Sequence, residues 1–185
     1  MTKPAFTATE QKTLETFTAL MWSLSRPGQL QTLPAVAADY PANFLAIGET
    51  LLDLETTFYT PDPILRQALA RTTARAETPD RAAYQFYPKV AEAELEALAQ
   101  APVGTMLYPD QAATLILAAW FHDGPQFTLT GPGLPRAQTL QVGGLPEQFW
   151  SLREQRLRYP LGWDLFLIDG NRVTGVPRTT HLEIR

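Results

Sequence analysis

Apolar and polar residues alternate at helical spacing over the first 25 residues of the chain. The spacing predicts a helix over about Thr9–Leu24. Thr7 and Glu10 have the spacing of a capping box, in which each side chain bonds the other residue's backbone N–H. The helix is expected to end at Pro27-Gly28, because proline cannot continue the helical hydrogen bonds and glycine accepts a positive φ angle.

One apolar stripe follows the length of this helix, formed by Leu14, Phe17, Met21 and Leu24. Residues spaced in this way lie on one face, which is typical of a helix packed against a core. Leu20 and Trp22 lie off the stripe. We interpret these two residues as additional core, and the alternative is a contact between subunits.

Between residues 29 and 100 the pattern changes repeatedly between extended and helical segments. Strands are predicted from alternation or from β-branched and aromatic residues, at Gln29–Leu33, Thr56–Thr60 and Ala83–Tyr87. Helices are predicted at Phe44–Leu54, Ile64–Ala74 and Glu92–Gln100. The first helix follows a proline-bracketed turn, and the second begins at Asp62-Pro63, a cap followed by a favourable first proline.

The second half of the chain has the pattern of a sheet with one helix. The apolar run at Thr114–Phe121 predicts a strand buried on both faces. Further strands are predicted at Phe127–Thr130, Thr139–Val142, Asp164–Ile168 and Arg172–Val176, with a helix at Pro146–Arg158. The last two strands flank Asp169-Gly170-Asn171, a strong hairpin signal. We predict an α/β fold, a single mixed-sheet domain with flanking helices over residues 1–185.

Composition narrows the possible functions. Of 185 residues, 45% are hydrophobic and 18% charged, as in an ordinary globular protein, and the formal net charge is −4. A nucleic acid partner is not expected, because phosphate binding requires a basic surface. No stretch approaches the roughly 18 apolar residues of a membrane span, and no signal peptide precedes the first helix, so we expect a cytoplasmic protein. The chain has no cysteine, which removes disulfides and thiolate metal sites.

The common enzyme motifs are incomplete. Gly131-x-Gly133 leads to Arg136 where a dinucleotide-binding motif has glycine, so we interpret it as a turn. No phosphate-binding P-loop is present, and none of the three serines has the context of a hydrolase nucleophile. His122 is expected in a turn, with its ring in solvent. The residues therefore identify no catalytic group, and the catalytic residues stay unknown.

The segment with the most closely spaced polar and ionisable groups is Pro177-Arg178-Thr179-Thr180-His181-x-Glu183. Arginine offers a fork of donors for phosphate, the hydroxyls can donate, and imidazole can donate or move a proton. On a strand edge these groups would form an anion site, and the alternative is a solvated terminal strand. We predict no metal site, because His181-x-Glu183 lacks the cysteines that accompany it in zinc deaminases.

Three groups of motifs together resemble a known family. Pro160-Leu161-Gly162-x-Asp164-Leu165, followed by the segment at 177–183, resembles the C-terminal signature of PhnH, the H-subunit family of the bacterial carbon–phosphorus lyase system. Ala113–Leu117 and Leu129-Thr130-Gly131-x-Gly133 resemble its central strands and glycine turn, and Ser25-x-Pro27-Gly28 resembles its N-terminal element. The resemblance covers nearly the whole chain and is loose over about 35–105.

This resemblance implies both a fold and a function. H subunits resemble pyridoxal-phosphate-dependent transferases without the cofactor, form homodimers, and join the G, I and J subunits in a core complex. With an L component, G, H and I displace the base of a purine nucleoside triphosphate with methylphosphonate. The product is α-D-ribose 1-methylphosphonate 5-triphosphate, which J later cleaves. The resemblance assigns no catalytic residue to H.

The lysines agree with a protein that uses no cofactor. A pyridoxal-phosphate enzyme needs a lysine for its Schiff base, and only Lys3, Lys12 and Lys89 are present, all in positions expected to face water. An independent pyridoxal-phosphate transferase is therefore disfavoured.

Two hypotheses remain for a non-autonomous transferase subunit of phosphonate catabolism. In the first, four residues contact nucleotide, phosphonate or a partner, with Asp164 as a further polar anchor; the four are Arg178, Thr179, Thr180 and His181. In the second, the chain is a structural subunit without substrate contact, held through an apolar surface near Trp22 or Trp150.

Overall fold

The computed structural model describes residues 6–34 and 40–185. Seven strands of this part of the chain form a mixed sheet in the order β1-β9-β8-β5-β4-β2-β3. Their bounds are Gln31–Thr32 for β1, Thr57–Tyr59 for β2, Arg75–Ala76 for β3, Tyr84–Tyr87 for β4, Thr114–Ala118 for β5, Asp164–Asp169 for β8 and Arg172–Val176 for β9. Strands β3, β2, β4, β5 and β8 run parallel, whereas β9 and β1 are antiparallel to their neighbours.

A second, smaller sheet is antiparallel, with the order β10-β6-β7. Its strands are β6 at Gln126–Thr130, β7 at Gln138–Gln141 and β10 at His181–Ile184. The helices are α1 at Ala8–Ser25, α2 at Tyr40–Leu51, α3 at Pro63–Leu69, α4 at Leu95–Gln100 and α5 at Glu147–Arg156. Short 3-10 helices lie at Ala70–Thr72, Glu92–Glu94 and Pro109–Gln111. No helix of the described residues is long and apolar enough to cross a membrane.

The central sheet separates two hydrophobic clusters, because successive side chains of a strand point to opposite faces. On β5, Leu115 and Leu117 belong to one cluster and Ile116 to the other. The Ile116 side is covered by α1, α2 and α3, whereas the Leu115 side is covered by α4, α5 and the small sheet. The result is an α/β architecture with a mixed sheet and flanking helices, as the sequence predicts.

Most predicted elements are confirmed, including the buried strand β5 and the hairpin of β8 and β9. Thr7 and Glu10 form the predicted capping box at the start of α1, and the Asp62 carboxylate caps α3 by accepting the Leu65 N–H at 2.8 Å. The helix predicted to reach Leu54 ends at Leu51, and the two-residue strand β3 was not predicted. Lys3 and most of the proline-bracketed turn lie outside the described residues.

The core face predicted for α1 is wrong. Leu14, Phe17 and Met21 are exposed and Leu24 is only partly buried, whereas Thr16, Ala19, Leu20 and Ser23 form the buried face. Close packing on β9 is the reason, since a Cβ at Gly175 would lie 2.7 Å from backbone atoms of Ser23 and Leu24. Leu20 is core as predicted, but Trp22 is exposed.

We expect Gly175→Ala to destabilise the protein, because the new methyl group would overlap the α1 backbone. Overpacking of this kind typically lowers the free energy of unfolding by about 1–3 kcal/mol, measurable by urea denaturation. The control is Gly170→Asn in the hairpin turn, where no atom lies near the added Cβ and φ is +57°, a conformation that asparagine tolerates. Equal stability of Gly175→Ala and the wild-type protein would contradict this close packing.

Candidate functional site

Asp164 and Arg178 meet at one end of the β8–β9 hairpin. Asp164 opens β8, and β9 returns the chain to the same point, where Val176 pairs with Leu165. Arg178 Nη2 donates to Asp164 Oδ2 at 2.6 Å, and Arg178 Nε lies 3.2 Å from the same oxygen. The backbone N–H of Arg178 also donates to Asp164 Oδ1 at 2.9 Å. The carboxylate therefore fixes both the side chain and the main chain of Arg178.

Arg178 makes one more contact, which ties this hairpin to a third part of the chain. Its Nη1 donates to the carbonyl oxygen of Pro109, in the 3-10 helix that precedes β5. The Arg178 side chain is only 15% exposed. Because a carboxylate and a carbonyl already occupy its guanidinium, Arg178 offers little free capacity to bind an external phosphate.

A second arginine, Arg153 of α5, holds the backbone of the same segment. Its Nη2 donates to the carbonyl oxygens of Pro177 and Thr180, both at 3.1 Å. Arg153 is 2% exposed. Burial lowers its pKa to about 10, while the charges of Glu154 and Asp164 act in the opposite direction. Arg153 thus remains a cation at neutral pH and stabilises the turn that leads into β10.

Sequence reasoning missed Arg153, although the sequence contains a signal for it. Phe149, Trp150 and Arg153 have the spacing of one helical face, and all three are buried. An arginine on an apolar helical face is a candidate for a buried cation with a specific partner. Here its partners are carbonyl oxygens, which no sequence motif reveals.

The three remaining predicted residues differ in their surroundings. The Thr180 N–H closes the turn by donating to the Pro177 carbonyl at 2.9 Å, and the side chain of Thr180 is fully buried. Its Oγ1 has no hydrogen-bond partner within the described chain. Thr179 is partly buried, and His181, the first residue of β10, is exposed. Neither of these two side chains has a hydrogen bond to another described residue.

The motifs that suggested the resemblance converge on this segment. A Cβ at Gly131, where φ is +139°, would lie 2.5 Å from the Thr179 carbonyl oxygen. A Cβ at Gly133 would lie 2.8 Å from the Ser25 carbonyl oxygen at the end of α1. These glycines allow the turn after β6 to pack closely between the N-terminal element and the C-terminal segment.

The site holds few free reactive groups. Among residues 6–34 and 40–185, no group of three or more His, Asp or Glu side chains is arranged to hold a metal ion. His122 lies exposed in the loop after β5, as predicted, far along the chain from the other polar groups of the segment. Chemically, the arrangement presents Thr179 and His181 beside a turn fixed by Asp164, Arg178 and Arg153.

Comparisons with known proteins agree with the motifs. The family model described as "Bacterial phosphonate metabolism protein (PhnH)" matches residues 4–183. The chain is 32% identical over 172 residues to the "Putative C-P lyase subunit protein HtxG" of Stutzerimonas stutzeri, covering 91% of this chain and 85% of that protein. It is 29% identical over 178 residues to the "Alpha-D-ribose 1-methylphosphonate 5-triphosphate synthase subunit PhnH" of Rhizobium meliloti (strain 1021), covering 90% and 88%.

We expect Arg153→Met to loosen the terminal segment, because the buried Thr180 carbonyl oxygen would lose its donor, while the Pro177 carbonyl oxygen would keep only the Thr180 N–H. A buried group left without a hydrogen bond costs about 1–3 kcal/mol, and the free energy of unfolding should fall by this order. The amide of Glu183 in β10 should also exchange faster with deuterium. Arg156→Met, an exposed arginine on the same helix, is the control. Unchanged exchange in β10 would contradict the assigned role.

Proposed function

The chain belongs to the PhnH family of bacterial phosphonate metabolism proteins, and from this premise we propose that it is a subunit of a carbon–phosphorus lyase complex. The observation that carries the proposal is the family match over residues 4–183. The proposed partners are the G, I and J subunits, and the proposed location is the cytoplasm. We treat residues 1–185 as one domain in this role.

The proposed reaction of the complex is a transfer at the anomeric carbon of a nucleotide. An oxygen of methylphosphonate forms a bond to the ribose C1′ of a purine nucleoside triphosphate, and the bond from C1′ to the base nitrogen breaks. The base leaves with the electron pair and takes up a proton. The product is α-D-ribose 1-methylphosphonate 5-triphosphate, the compound that appears in the name of the Rhizobium meliloti relative.

Within the complex, we propose that the segment after β9 contacts the phosphonate, the nucleotide or a partner. Asp164, Arg178 and Thr180 form the fixed part of this site, and Thr179 and His181 are its accessible polar groups. The alternative is a structural subunit without substrate contact. The pairing of Arg178 with Asp164 favours this alternative, since the strongest anion-binding group of the segment is already neutralised.

We further propose that the fold is that of a pyridoxal-phosphate-dependent transferase that has lost its cofactor. A Schiff-base lysine is activated by desolvation in a pocket or by a neighbouring cation. Lys89 is exposed in the loop after β4, and Lys12 is only partly buried on α1. The described lysines therefore do not fit the cofactor, and the proposed mechanism has no step that uses it.

A homodimer is proposed for the isolated chain, formed through the exposed apolar face of α1. Leu14, Phe17, Met21 and Trp22 are each between 40% and 51% exposed. A contiguous apolar surface of this kind commonly marks a protein interface.

The charges of α1 favour a second copy as the occupant of this face. In an antiparallel pair of helices about a twofold axis near Thr18, Leu14 would oppose Trp22, and Glu10 would oppose Arg26. Arg26 already lies over the Trp22 ring, 4.3 Å from its centre, at the end where the partner's glutamate would arrive. The face is therefore complementary to itself in charge.

We expect Phe17→Glu to convert the dimer into a monomer, because it places a charge at the centre of the apolar face. Sedimentation equilibrium measures the change, and a dissociation constant raised at least tenfold is expected. Ile64→Glu, at an exposed apolar residue of α3, is the control and should leave the dimer intact. A wild-type chain that is monomeric at all concentrations, or a Phe17→Glu chain that stays dimeric, would contradict the α1 interface.

The proposed function is tested by co-expression with the G, I and J subunits, purification of the complex, and assay of synthase activity with the L component present. We expect the chain to co-purify with these subunits. The variant His181→Ala should lower the synthase activity at least tenfold. It should still assemble, because His181 is exposed and holds no other group in place. The control is His122→Ala, an exposed histidine outside the segment. Failure to co-purify would contradict the proposed function, whereas full activity of His181→Ala would leave the structural alternative.

A further inference from the structure

The small sheet turns an apolar face toward the core, and this face continues onto its edge strand β10. In the pairing of β10 with β6, Leu182 lies opposite Leu129 and Ile184 lies opposite Phe127. Paired residues share a face of the sheet, and Leu129 and Phe127 are buried in the core. Ile184 therefore points to the core side, yet it is 59% exposed. The apolar surface continues past β10 with nothing described to cover it.

The backbone of β10 is also open along this side. The Arg185 N–H donates to the Gln126 carbonyl, which continues the β10–β6 register and marks the residues that face β6. Hydrogen-bonded and non-bonded pairs alternate in an antiparallel ladder. The N–H and C=O groups of Leu182 and Ile184 consequently point away from β6. Within the described part of the chain, no strand lies beyond β10.

A groove of about 500 Å³ separates this open edge from α5. Its apolar wall is formed by Phe127, Trp150, Leu182 and Ile184. Trp150 is almost fully buried, and its indole N–H has no acceptor among the described residues. An added strand at the edge of β10 would place every second side chain over this wall, because side chains of a strand alternate between its two sides.

The charges around the groove are acidic. Glu147, Glu154 and Glu183 line it, and a neighbouring hollow that shares Glu147 adds Glu96. Arg153 also lines the groove, but its guanidinium is buried and directed at the carbonyl oxygens of the turn. An anionic ligand would be repelled, and a second copy of the chain would bring the same carboxylates to the contact. Charge complementarity therefore selects a basic occupant.

We propose that the edge of β10 binds an extended segment of a companion protein with alternating apolar and basic residues, which adds to the small sheet as a fourth strand. Backbone hydrogen bonds to Leu182 and Ile184 would supply affinity, as in other cases of strand addition. Apolar side chains would cover Trp150 and Ile184. The basic side chains would lie on the other side of the added strand, where they would pair with Glu183, and Glu147 and Glu154 would attract them at longer range. The proposal rests on the proposed function, because it assumes a chain that works within a complex.

The test uses the full chain labelled with ¹⁵N and an eight-residue peptide of alternating valine and lysine with blocked ends. Binding is followed by NMR, with the expected signal changes at Leu182, Ile184 and the Trp150 indole N–H. A peptide of alternating valine and glutamate is the charge control. A valine–lysine peptide with N-methyl groups at alternate residues is the backbone control, because it cannot form the ladder. Both controls should bind at least tenfold more weakly.

Variants of the chain separate the contribution of charge from that of the backbone hydrogen bonds. Glu147→Lys with Glu154→Lys should weaken binding of the lysine peptide at least tenfold, whereas Glu49→Lys with Glu55→Lys, the same charge change elsewhere, should not. Ile184→Pro removes an outward N–H without breaking a bond to β6, and proline is tolerated at such edge positions. It should weaken binding several-fold more than Ile184→Ala, which removes only the side chain.

Three outcomes would overturn the proposal. The first is no signal change at β10 with 1 mM peptide, and the second is equal binding of the N-methylated peptide, which would reduce the contact to charge alone. The third is a wild-type dimer that dissociates when Ile184→Pro is introduced, because a second copy of the chain would then be what binds the edge of β10. Co-purification with the G, I and J subunits is measured separately, so loss of this proposal is distinguishable from loss of the proposed function.

Discussion

Two arginines hold the short connection between the two sheets, and the arrangement of the layers depends on them. β9 ends in the central sheet and β10 belongs to the small sheet, so the segment 177–180 has to cross from one layer to the other. Arg178 fastens this crossing to Asp164 and Pro109, and Arg153 fastens its carbonyl oxygens to α5. A buried guanidinium is costly unless it is hydrogen-bonded. The turn supplies two carbonyl acceptors to the Arg153 Nη2, whereas the Arg153 Nε has no partner among the described residues. These hydrogen bonds stabilise the observed conformation of the turn.

This constraint shapes what the segment can do. The groups that resemble an anion site in the sequence are mostly used inside the protein, and Thr179 and His181 are left accessible at the turn. The exposed apolar face of α1 and the acidic groove beside β10 lie on other elements, so the proposed contacts with a second copy and with a companion protein would use separate surfaces. A subunit of a larger complex requires such surfaces more than it requires a complete catalytic set of its own.

The sequence predicts the elements better than it predicts their faces. Capping residues, the hairpin turn and the apolar run of β5 are local signals, and the structure confirms all three. The prediction of the buried face of α1 is wrong because α1 packs closely on Gly175. Such packing favours small side chains at the contact, and the large apolar residues of the stripe lie outside it. Which face of a helix meets a glycine is a property of the tertiary structure.

The sequence singles out Asp164 and the segment at 177–183, but it reveals neither the contacts that these residues make nor the part that Arg153 plays in them. Asp164 and Arg178 are 14 residues apart, and only the pairing of β8 with β9 brings them together. Arg153 is 25 residues before Arg178 and resembles a surface residue of a polar helix unless its apolar neighbours are considered. An arginine in a signature segment is easily interpreted as free to bind anions, and its neutralisation becomes visible only when the strand order is known.

The most direct test of this account is a double-mutant cycle on Asp164 and Arg178, with the free energy of unfolding measured for Asp164→Ala, Arg178→Met and the combined variant. Residues in one hydrogen-bonded network typically show coupling of about 0.5–3 kcal/mol. The account predicts coupling in the upper half of this range, because several hydrogen bonds join the two residues in a largely enclosed site. Additive effects of the two substitutions would contradict it, since the segment would then be held by something other than this pair.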